Sequence, residues 1–184
     1  MIKISVIIPT YNRAELVRRN ILALAGQTMA SDEFEVIVVA DGCEDNTSQV
    51  LSSLDVQFEL RTIEKSESGA ATARNAGARL ATGTVLVFLD DDMRADPDLL
   101  MSHWVGQQDA PCLLVGFFST PPSWRSEHPL AASGNVWWDN RFRRMAQPGY
   151  RHTYKDVCTG NMSISRTDFL ATGCFSEEMG RRAG

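Results

Sequence analysis

The chain of 184 residues is long enough for one domain with a buried core, since 43% of its residues are hydrophobic and 22% are charged. A net charge of -5 and a pI near 5.2 exclude a general nucleic-acid-binding surface, which would need a basic face. The four cysteines are widely spaced, and the sequence has neither a signal-peptide pattern nor an apolar run of the roughly 20 residues that span a membrane. These features predict a cytoplasmic protein. Peripheral contact with the inner face of the membrane is left open.

Apolar runs of strand length alternate with segments of helical period, which predicts βαβ units and a parallel sheet. The first strand, residues 4–8, ends at Pro9, and a helix over residues 13–25 follows with Asn12 as its N-cap. The later elements are, in chain order, a strand at 34–40, a helix opening at 45–47, a strand at 56–63, a helix at 68–81, a strand at 84–90, a helix at 97–108 capped by Asp96, and a strand at 112–119. The small side chains of the helix at 68–81 suggest close packing on the sheet.

The carboxyl ends of the strands form the ligand crevice of a doubly wound α/β sheet. Right-handed crossovers place the first three strands on one side and the fourth against the first. Three of the four strand ends are acidic, namely residues 41–42, 64–69 and 90–92 but not 10–13. The glycine-rich phosphate cradle is missing from PTYNRAE, so a phosphate would meet carboxylates here. We therefore predict that Mg²⁺ or Mn²⁺ bridges the carboxylates and the diphosphate of a nucleotide.

Five motifs in order resemble the family 2 glycosyltransferases, enzymes of the GT-A fold that use nucleotide sugars: VIIPTYNR, VVADGCEDNT, GAATARNAGARLATG, VLVFLDDDMRADPD and TGNMSISRTDFLATGCFSEE. The resemblance implies a Rossmann-like, doubly wound, mostly parallel sheet flanked by helices. It implies a donor-binding half at residues 1–119 and part of an acceptor half at 120–184. The implied reaction is the inverting, metal-assisted transfer of a sugar to an acceptor hydroxyl, as in polysaccharide biosynthesis. On family grounds the donor is a UDP-sugar. The acceptor is a glycan, a lipid-linked sugar or another hydroxyl compound.

The resemblance also assigns residues to the donor site. Those assigned to the nucleotide sugar are Pro9, Thr10, Tyr11, Arg13, Asp41, Arg74, Asn75, Asp90 and Asp91. Asp41 would contact the base, and Ala40 stands where the family often has another aspartate. Asp92, at the end of the DxD motif, is the assigned metal ligand. On the acceptor side, Gly160 and Asn161 would form the floor of the pocket.

Each assignment has a structural alternative. Asp41 before a glycine could begin a turn, Arg74 could be a solvated helix residue, and Asp91 could simply be exposed. For Asp90 and Asp92 the end of a buried strand favours a ligand role, because an unpaired acidic cluster there would be costly.

The segment at 123–155 follows no clear period and is rich in aromatic and arginine residues. Trp137, Trp138 and Tyr150 fit either a sugar-stacking surface or a core. The arginines and the lysine between 141 and 155 fit either an anionic ligand or lipid surface, or a solvated loop.

No catalytic residue is assigned. The family base is an aspartate just beyond a stretch like FSEEMGRRAG, and the sequence ends at Gly184. Glu177 and Glu178 lie earlier than that position. A nucleotide-sugar-binding fragment without transfer activity therefore stays an alternative. A nucleotidyltransferase is disfavoured, because the loop after the first strand lacks its glycine- and arginine-rich signature.

Overall fold

One mixed sheet organises the computed structural model, which describes residues 1–108, 111–118 and 129–178, with backbone only over 129–136. Its strands are β1 (Ile4–Thr10), β2 (Phe34–Asp41), β3 (Glu59–Lys65), β4 (Val85–Leu89), β5 (Leu114–Val115) and β6 (Asn161–Ser165). Their order is β3-β2-β1-β4-β6-β5. The strands β1 to β4 pair in parallel, whereas β6 pairs antiparallel with β4 and β5. The predicted order of the first four strands is confirmed.

Helices cover both faces of this sheet. They are α1 (Ala14–Leu24), α2 (Thr47–Ser52), α3 (Ala70–Leu80), α4 (Leu99–Gly106), α5 (Pro129–Met145) and α6 (Arg166–Ala171), with a 3-10 turn at Tyr154–Asp156. Within the described ranges, none of the helices has the length and apolar character needed to cross a membrane.

The two faces of the sheet carry separate apolar clusters. Ile4, Val6 and Ile8 pack with side chains of α1, α2 and α4, whereas Ile7 packs on the other face with α3 and α6. Because both faces are covered, the inner strands are mostly apolar, as the sequence pattern indicates. The buried Ser5 and Glu35 are exceptions, and they pair with each other, since Ser5 Oγ donates to Glu35 Oε1 at 2.6 Å.

Close packing of α3 on the sheet confirms the expectation from its small side chains. A Cβ atom at Gly77 would lie 2.6 Å from Ile7 Cγ2, and Ala73 and Ala78 are buried. This packing holds α3 close to the sheet, and Ala70 at its amino end lies near the carboxyl ends of β1 and β2.

Two predicted helix caps are wrong. Asn12 adopts φ 51° and does not cap α1; its Oδ1 accepts the backbone N–H of Glu44 at 2.7 Å. The N–H of Ala14 instead donates to Asp45 Oδ2 at 3.2 Å. At α4 the N-cap is Asp98 and not Asp96. The cap of α1 comes from the loop after β2, so the sequence around α1 gives no signal of it.

The strands and helices beyond β4 also differ from the prediction. The strand predicted at 112–119 is limited to Leu114–Val115 in the described residues and is antiparallel. The unassigned segment at 123–155 contains α5 in its described part.

Candidate functional site

A cleft of about 290 Å³, called the first cleft here, opens at the carboxyl ends of β1, β2 and β4. Its lining residues are Pro9, Thr10, Tyr11, Arg13, Asp41, Ala70, Arg74, Asp90, Asp91 and Asp92. The structure thus brings together the predicted metal ligand and every predicted donor residue except Asn75. Gly160 and Asn161 do not line this cleft.

The three consecutive aspartates occupy different environments. Asp91 is only 5% exposed; its Oδ2 accepts from Thr10 Oγ1 at 2.8 Å, and its Oδ1 from Arg13 Nη1 at 3.0 Å. The alternative that Asp91 is simply exposed is therefore wrong. Burial raises the pKa of the Asp91 carboxyl, and the contacts with Thr10 and Arg13 partly oppose this rise. Asp92 has a side chain that is 51% exposed and lies 3.5 Å from Arg13 Nη1.

Asp90 is oriented by residues from three parts of the chain. Arg74 Nη2 donates to its Oδ1 at 2.5 Å, its backbone carbonyl accepts from Asn20 Nδ2 at 2.8 Å, and its N–H donates to the carbonyl of Gly160 at 3.1 Å. A Cβ atom at Gly160 would lie 2.7 Å from Asp90 Oδ2. The side chain of Asp90 is therefore held in place beside the cleft, with Gly160 as its close neighbour. The guanidinium of Arg74 is not merely solvated, because its side chain is only 11% exposed.

Asp41 binds the loop before α3 through three hydrogen bonds. Its Oδ1 accepts from the N–H of Ser68 at 3.0 Å and from Ser68 Oγ at 2.7 Å, and its Oδ2 accepts from the N–H of Gly69 at 2.8 Å. A carboxylate oxygen has two lone pairs, so Oδ2 keeps one for a ligand. Asp41 is thus more than the start of a turn: it fixes the amino end of the helix that carries Arg74.

Asn75 is directed away from the first cleft. Its Nδ2 donates to the carbonyl of Phe175 and to Glu177 Oε1, both at 2.9 Å, and its Oδ1 accepts from the N–H of Phe175 at 3.0 Å. The side chain therefore fastens the segment after α6 to α3. In this structure it does not contribute to the lining of the donor cleft predicted for it.

A second cleft, of about 260 Å³, lies beside the first and shares Asp92 with it. Its lining residues are Leu89, Asp92, Met93, Arg94, Asp96, Leu99, Phe117, Phe118 and Asn161. A third cleft, of about 430 Å³, adjoins the second, since both are lined by Asp96, Leu99, Phe117 and Asn161. Asn161, predicted on the acceptor side, therefore lies between these two clefts.

Sequence reasoning missed the buried His103 on α4. The ring is 2% exposed; its Nε2 lies 2.8 Å from Asn161 Oδ1, and its Nδ1 lies 2.8 Å from Ser163 Oγ. Burial lowers the pKa of this histidine, with a smaller opposing contribution from Asn161. A lone histidine in an apolar helix gives no signal of these contacts, which depend on the packing of β6.

The carboxylates of the first cleft fit a divalent cation that is shared with a ligand. Over the ranges that the structure describes, no three His, Cys, Asp or Glu side chains form a group that could hold a metal alone. Asp91 is engaged by Thr10 and Arg13, whereas the half-exposed carboxylate of Asp92 faces both clefts. Mg²⁺ and Mn²⁺ commonly take only one or two protein carboxylates and complete their coordination with water and phosphate oxygens.

The family model for glycosyl transferase family 2 matches residues 5–171. The validoxylamine A glucosyltransferase of Streptomyces hygroscopicus subsp. jinggangensis is 43% identical over 95% of this chain and 47% of its own length. The poly(ribitol-phosphate) beta-N-acetylglucosaminyltransferase TarP of Staphylococcus aureus is 30% identical over 74% of this chain and 43% of its own length. The chain thus spans about half the length of these relatives.

Solved structures share the fold. S. aureus TarS in complex with UDP has a TM-score of 0.74 at 20% identity, over 98% of this chain and 52% of that one. The mannosyltransferase PcManGT of Pyrobaculum calidifontis, in complex with GDP-Man and Mn²⁺, has a TM-score of 0.70 at 24% identity, over 96% of this chain and 48% of that one. Both likenesses confirm the predicted α/β fold class of GT-A type.

Proposed function

Because the chain belongs to glycosyl transferase family 2, we propose that it binds a nucleotide sugar in the first cleft, as part of an inverting transferase that acts on an acceptor hydroxyl. The observation that carries this proposal is the lining of that cleft. Apart from Ala70, it consists of residues that the family resemblance assigns to the donor and its metal.

The walls of the cleft suit a nucleoside. Pro9, Thr10 and Tyr11 form the end of β1, and Tyr11 is half exposed, so its ring can lie against a base or ribose. Asp41 keeps one acceptor site on Oδ2 for a donor group of the base. Asp90, held by Arg74, would accept from a ribose hydroxyl.

Charge supports a metal between the protein and the diphosphate. Four carboxylates but only two guanidinium groups line the first cleft, so a diphosphate alone would meet net repulsion. Asp92 would hold Mg²⁺ or Mn²⁺ here, and the bound ion would offset the charge of the departing diphosphate. Arg13, which lies between Asp91 and Asp92, would keep these two carboxylates from repelling each other.

The relatives indicate which donor and acceptor to test first. A relative 43% identical over nearly the whole chain is named for glucosyl transfer to validoxylamine A, and TarS structures contain UDP or UDP-GlcNAc. We therefore propose a UDP-hexose, with UDP-glucose as the first choice, and a polyhydroxylated acceptor.

The alternative of donor binding without transfer is supported by the state of Glu177 and Asp156, two carboxylates after β5 that could otherwise be considered as a base. Glu177 is engaged by Asn75 and Arg79, contacts that lower its pKa. Hydrogen bonds from the backbone of Thr153, and then from the side chains of Tyr150, Thr153 and Arg141, lower the pKa of Asp156 to about 2. Neither carboxylate lines the first cleft, and a base of such low pKa is poorly matched to neutral pH.

Calorimetry with UDP-glucose, with and without Mn²⁺, tests the proposal. We expect metal-dependent binding to the wild-type chain and its loss in Asp92→Asn. Product analysis then separates the alternatives: UDP with a new glycoside indicates transfer, and binding without turnover indicates the fragment. Release of pyrophosphate from a nucleoside triphosphate would instead indicate a nucleotidyltransferase. Failure of every nucleotide sugar to bind would refute the proposed donor cleft.

A further inference from the structure

The second cleft presents an aromatic ring to solvent beside carboxylates. Phe117 is 62% exposed, although its ring packs edge-on against Phe142 with the ring centroids 5.1 Å apart. Asp92 and Asp96 belong to the same cleft. Apolar surface with a few convergent polar groups is typical of small-molecule sites.

We infer that the second cleft is the acceptor subsite, in which Phe117 stacks on the ring of a polyhydroxylated acceptor, and that Asn161 and His103 are positioning residues that hold Phe117 there. This inference rests on the proposed function, because it takes the ring bound here as the acceptor of the sugar carried in the first cleft.

The backbone before Phe117 is fixed by Asn161. The N–H of Gly116 donates to the carbonyl of Asn161 at 2.8 Å, and Asn161 Nδ2 donates to the carbonyl of Phe117 at 3.1 Å. A Cβ atom at Gly116 would lie 2.4 Å from Asn161 Nδ2, so only glycine allows this approach. The backbone from which the Phe117 ring projects is therefore held by Asn161, and the ring itself packs on Phe142.

His103 fixes that amide in turn. Because Asn161 Nδ2 donates to Phe117, its Oδ1 must accept, so the Nε2 of His103 carries the hydrogen. The Nδ1 atom then accepts from the hydroxyl of Ser163, whose oxygen also accepts from Gln107 Nε2 at 3.0 Å. Every residue of this hydrogen-bond network has a defined donor or acceptor role, and such a network favours one orientation of the Asn161 amide.

The chemistry of the cleft selects the class of ligand. The C–H face of a saccharide or cyclitol ring presents weakly positive hydrogens to the negative face of an aromatic ring. The hydroxyls at the edge of the same ring can donate to Asp92 and Asp96. The third cleft begins at Phe117 and Asp96, so an acceptor of more than one ring can continue there.

Saturation-transfer NMR and calorimetry with validoxylamine A as the probe test this inference, with D-glucose and myo-inositol as smaller rings. Phe117→Ala should bind the probe about tenfold more weakly than the wild type, because the stacked ring face is lost, whereas Phe117→Tyr should retain binding. Tyr154→Ala is the matched control, since Tyr154 is exposed and lines neither the first nor the second cleft. Affinity for UDP in the presence of Mn²⁺ should not change in Phe117→Ala.

A double-mutant cycle tests the positioning role of His103. His103→Gln should weaken probe binding about threefold or more in the wild-type background but have little further effect in Phe117→Ala, because it acts through that ring. Circular dichroism restricts the comparison to temperatures at which all variants are folded. Should His103→Gln unfold the chain, His103→Asn takes its place in the cycle.

The possible failures are distinct. If UDP-glucose binds but neither the probe nor the smaller rings do, or if Phe117→Ala binds them as the wild type does, the acceptor subsite is refuted while the donor cleft stands. Equal effects of His103→Gln in both backgrounds refute the positioning role alone. If no nucleotide binds, the proposed function itself fails.

Discussion

The substitution Asp41→Asn is expected to lower both the thermal stability and the affinity for UDP. Asn keeps the size of the side chain but replaces one carboxylate oxygen by an NH₂ group. If the remaining oxygen serves Ser68, the new NH₂ faces the N–H of Gly69, which loses its 2.8 Å acceptor. In the opposite orientation the NH₂ faces the N–H of Ser68, which loses its acceptor, whereas the Ser68 hydroxyl can rotate to accept from the NH₂. Either way at least one backbone donor at the start of α3 is left unpaired.

The cost follows from that count of lost bonds. A part-buried N–H group that loses its partner costs about 1–3 kcal/mol. For a chain of this length each kcal/mol lowers the melting temperature by roughly 2–4 °C, so the expected decrease in Tm is roughly 2–12 °C. The looser start of α3, together with the loss of the Oδ2 lone pair where the NH₂ faces Gly69, should weaken UDP and UDP-glucose by about tenfold, and equally, because neither effect involves the sugar.

Thermal denaturation and calorimetry with UDP measure the two effects. Ser68→Ala is the control, because it removes only the hydrogen bond from the Ser68 hydroxyl to Asp41 and leaves the residues of the first cleft unchanged. It should cost about 0.5–1.5 kcal/mol and leave the affinity for UDP nearly unaltered. A wild-type melting temperature for Asp41→Asn would refute the stabilising role of the hydrogen bonds that Asp41 accepts from Ser68 and Gly69. Reduced stability with full UDP affinity would limit Asp41 to that structural role.

Three further outcomes are expected. Asp92→Asn should remove most Mn²⁺-dependent UDP binding without lowering Tm, since its side chain is half exposed; calorimetry showing equal affinity in mutant and wild type would eliminate the metal role. Gly77→Ala should destabilise the chain by about 1–3 kcal/mol, because the added Cβ would meet Ile7 at 2.6 Å; an unchanged urea midpoint would contradict this. His103 has a lowered pKa in the folded chain, so its unfolded form, with a pKa of about 6.5, takes up protons first. Wild-type stability should therefore fall as pH decreases below about 6.5, and His103→Gln, measured by urea midpoints across that range, should show a smaller fall.

The sequence was sufficient to predict the first four strands of the sheet and their order, because their signals are local. Runs of apolar residues mark strands buried on both faces, and right-handed crossovers then fix their order. The same order brings residues such as Thr10, Arg74 and Asp90 to one cleft, so the sequence alone groups most of the predicted site residues. The roles of those residues stay predictions.

The features that the sequence did not predict depend on contacts between residues that are distant in the sequence. Asn12 has the spacing of a helix cap, but the loop after β2 takes its side chain, and Asp45 supplies the cap to α1 instead. His103 shows nothing in its own neighbourhood, because its partners lie on β6. The partners of His103 lie more than 50 residues away in the sequence. The spacing of residues around His103 therefore cannot predict these contacts.

The three aspartates after β4 show that consecutive identical residues can occupy distinct environments. Asp91 is turned toward β1, where Thr10 and Arg13 hold it, and Asp90 is held by Arg74. Only Asp92 combines an exposed carboxylate with a place in both the first and the second cleft. On the proposed function, that carboxylate lies where the diphosphate of the donor and the hydroxyl of the acceptor would meet. Asp92→Asn should therefore weaken donor and acceptor binding together, whereas Phe117→Ala should weaken acceptor binding alone.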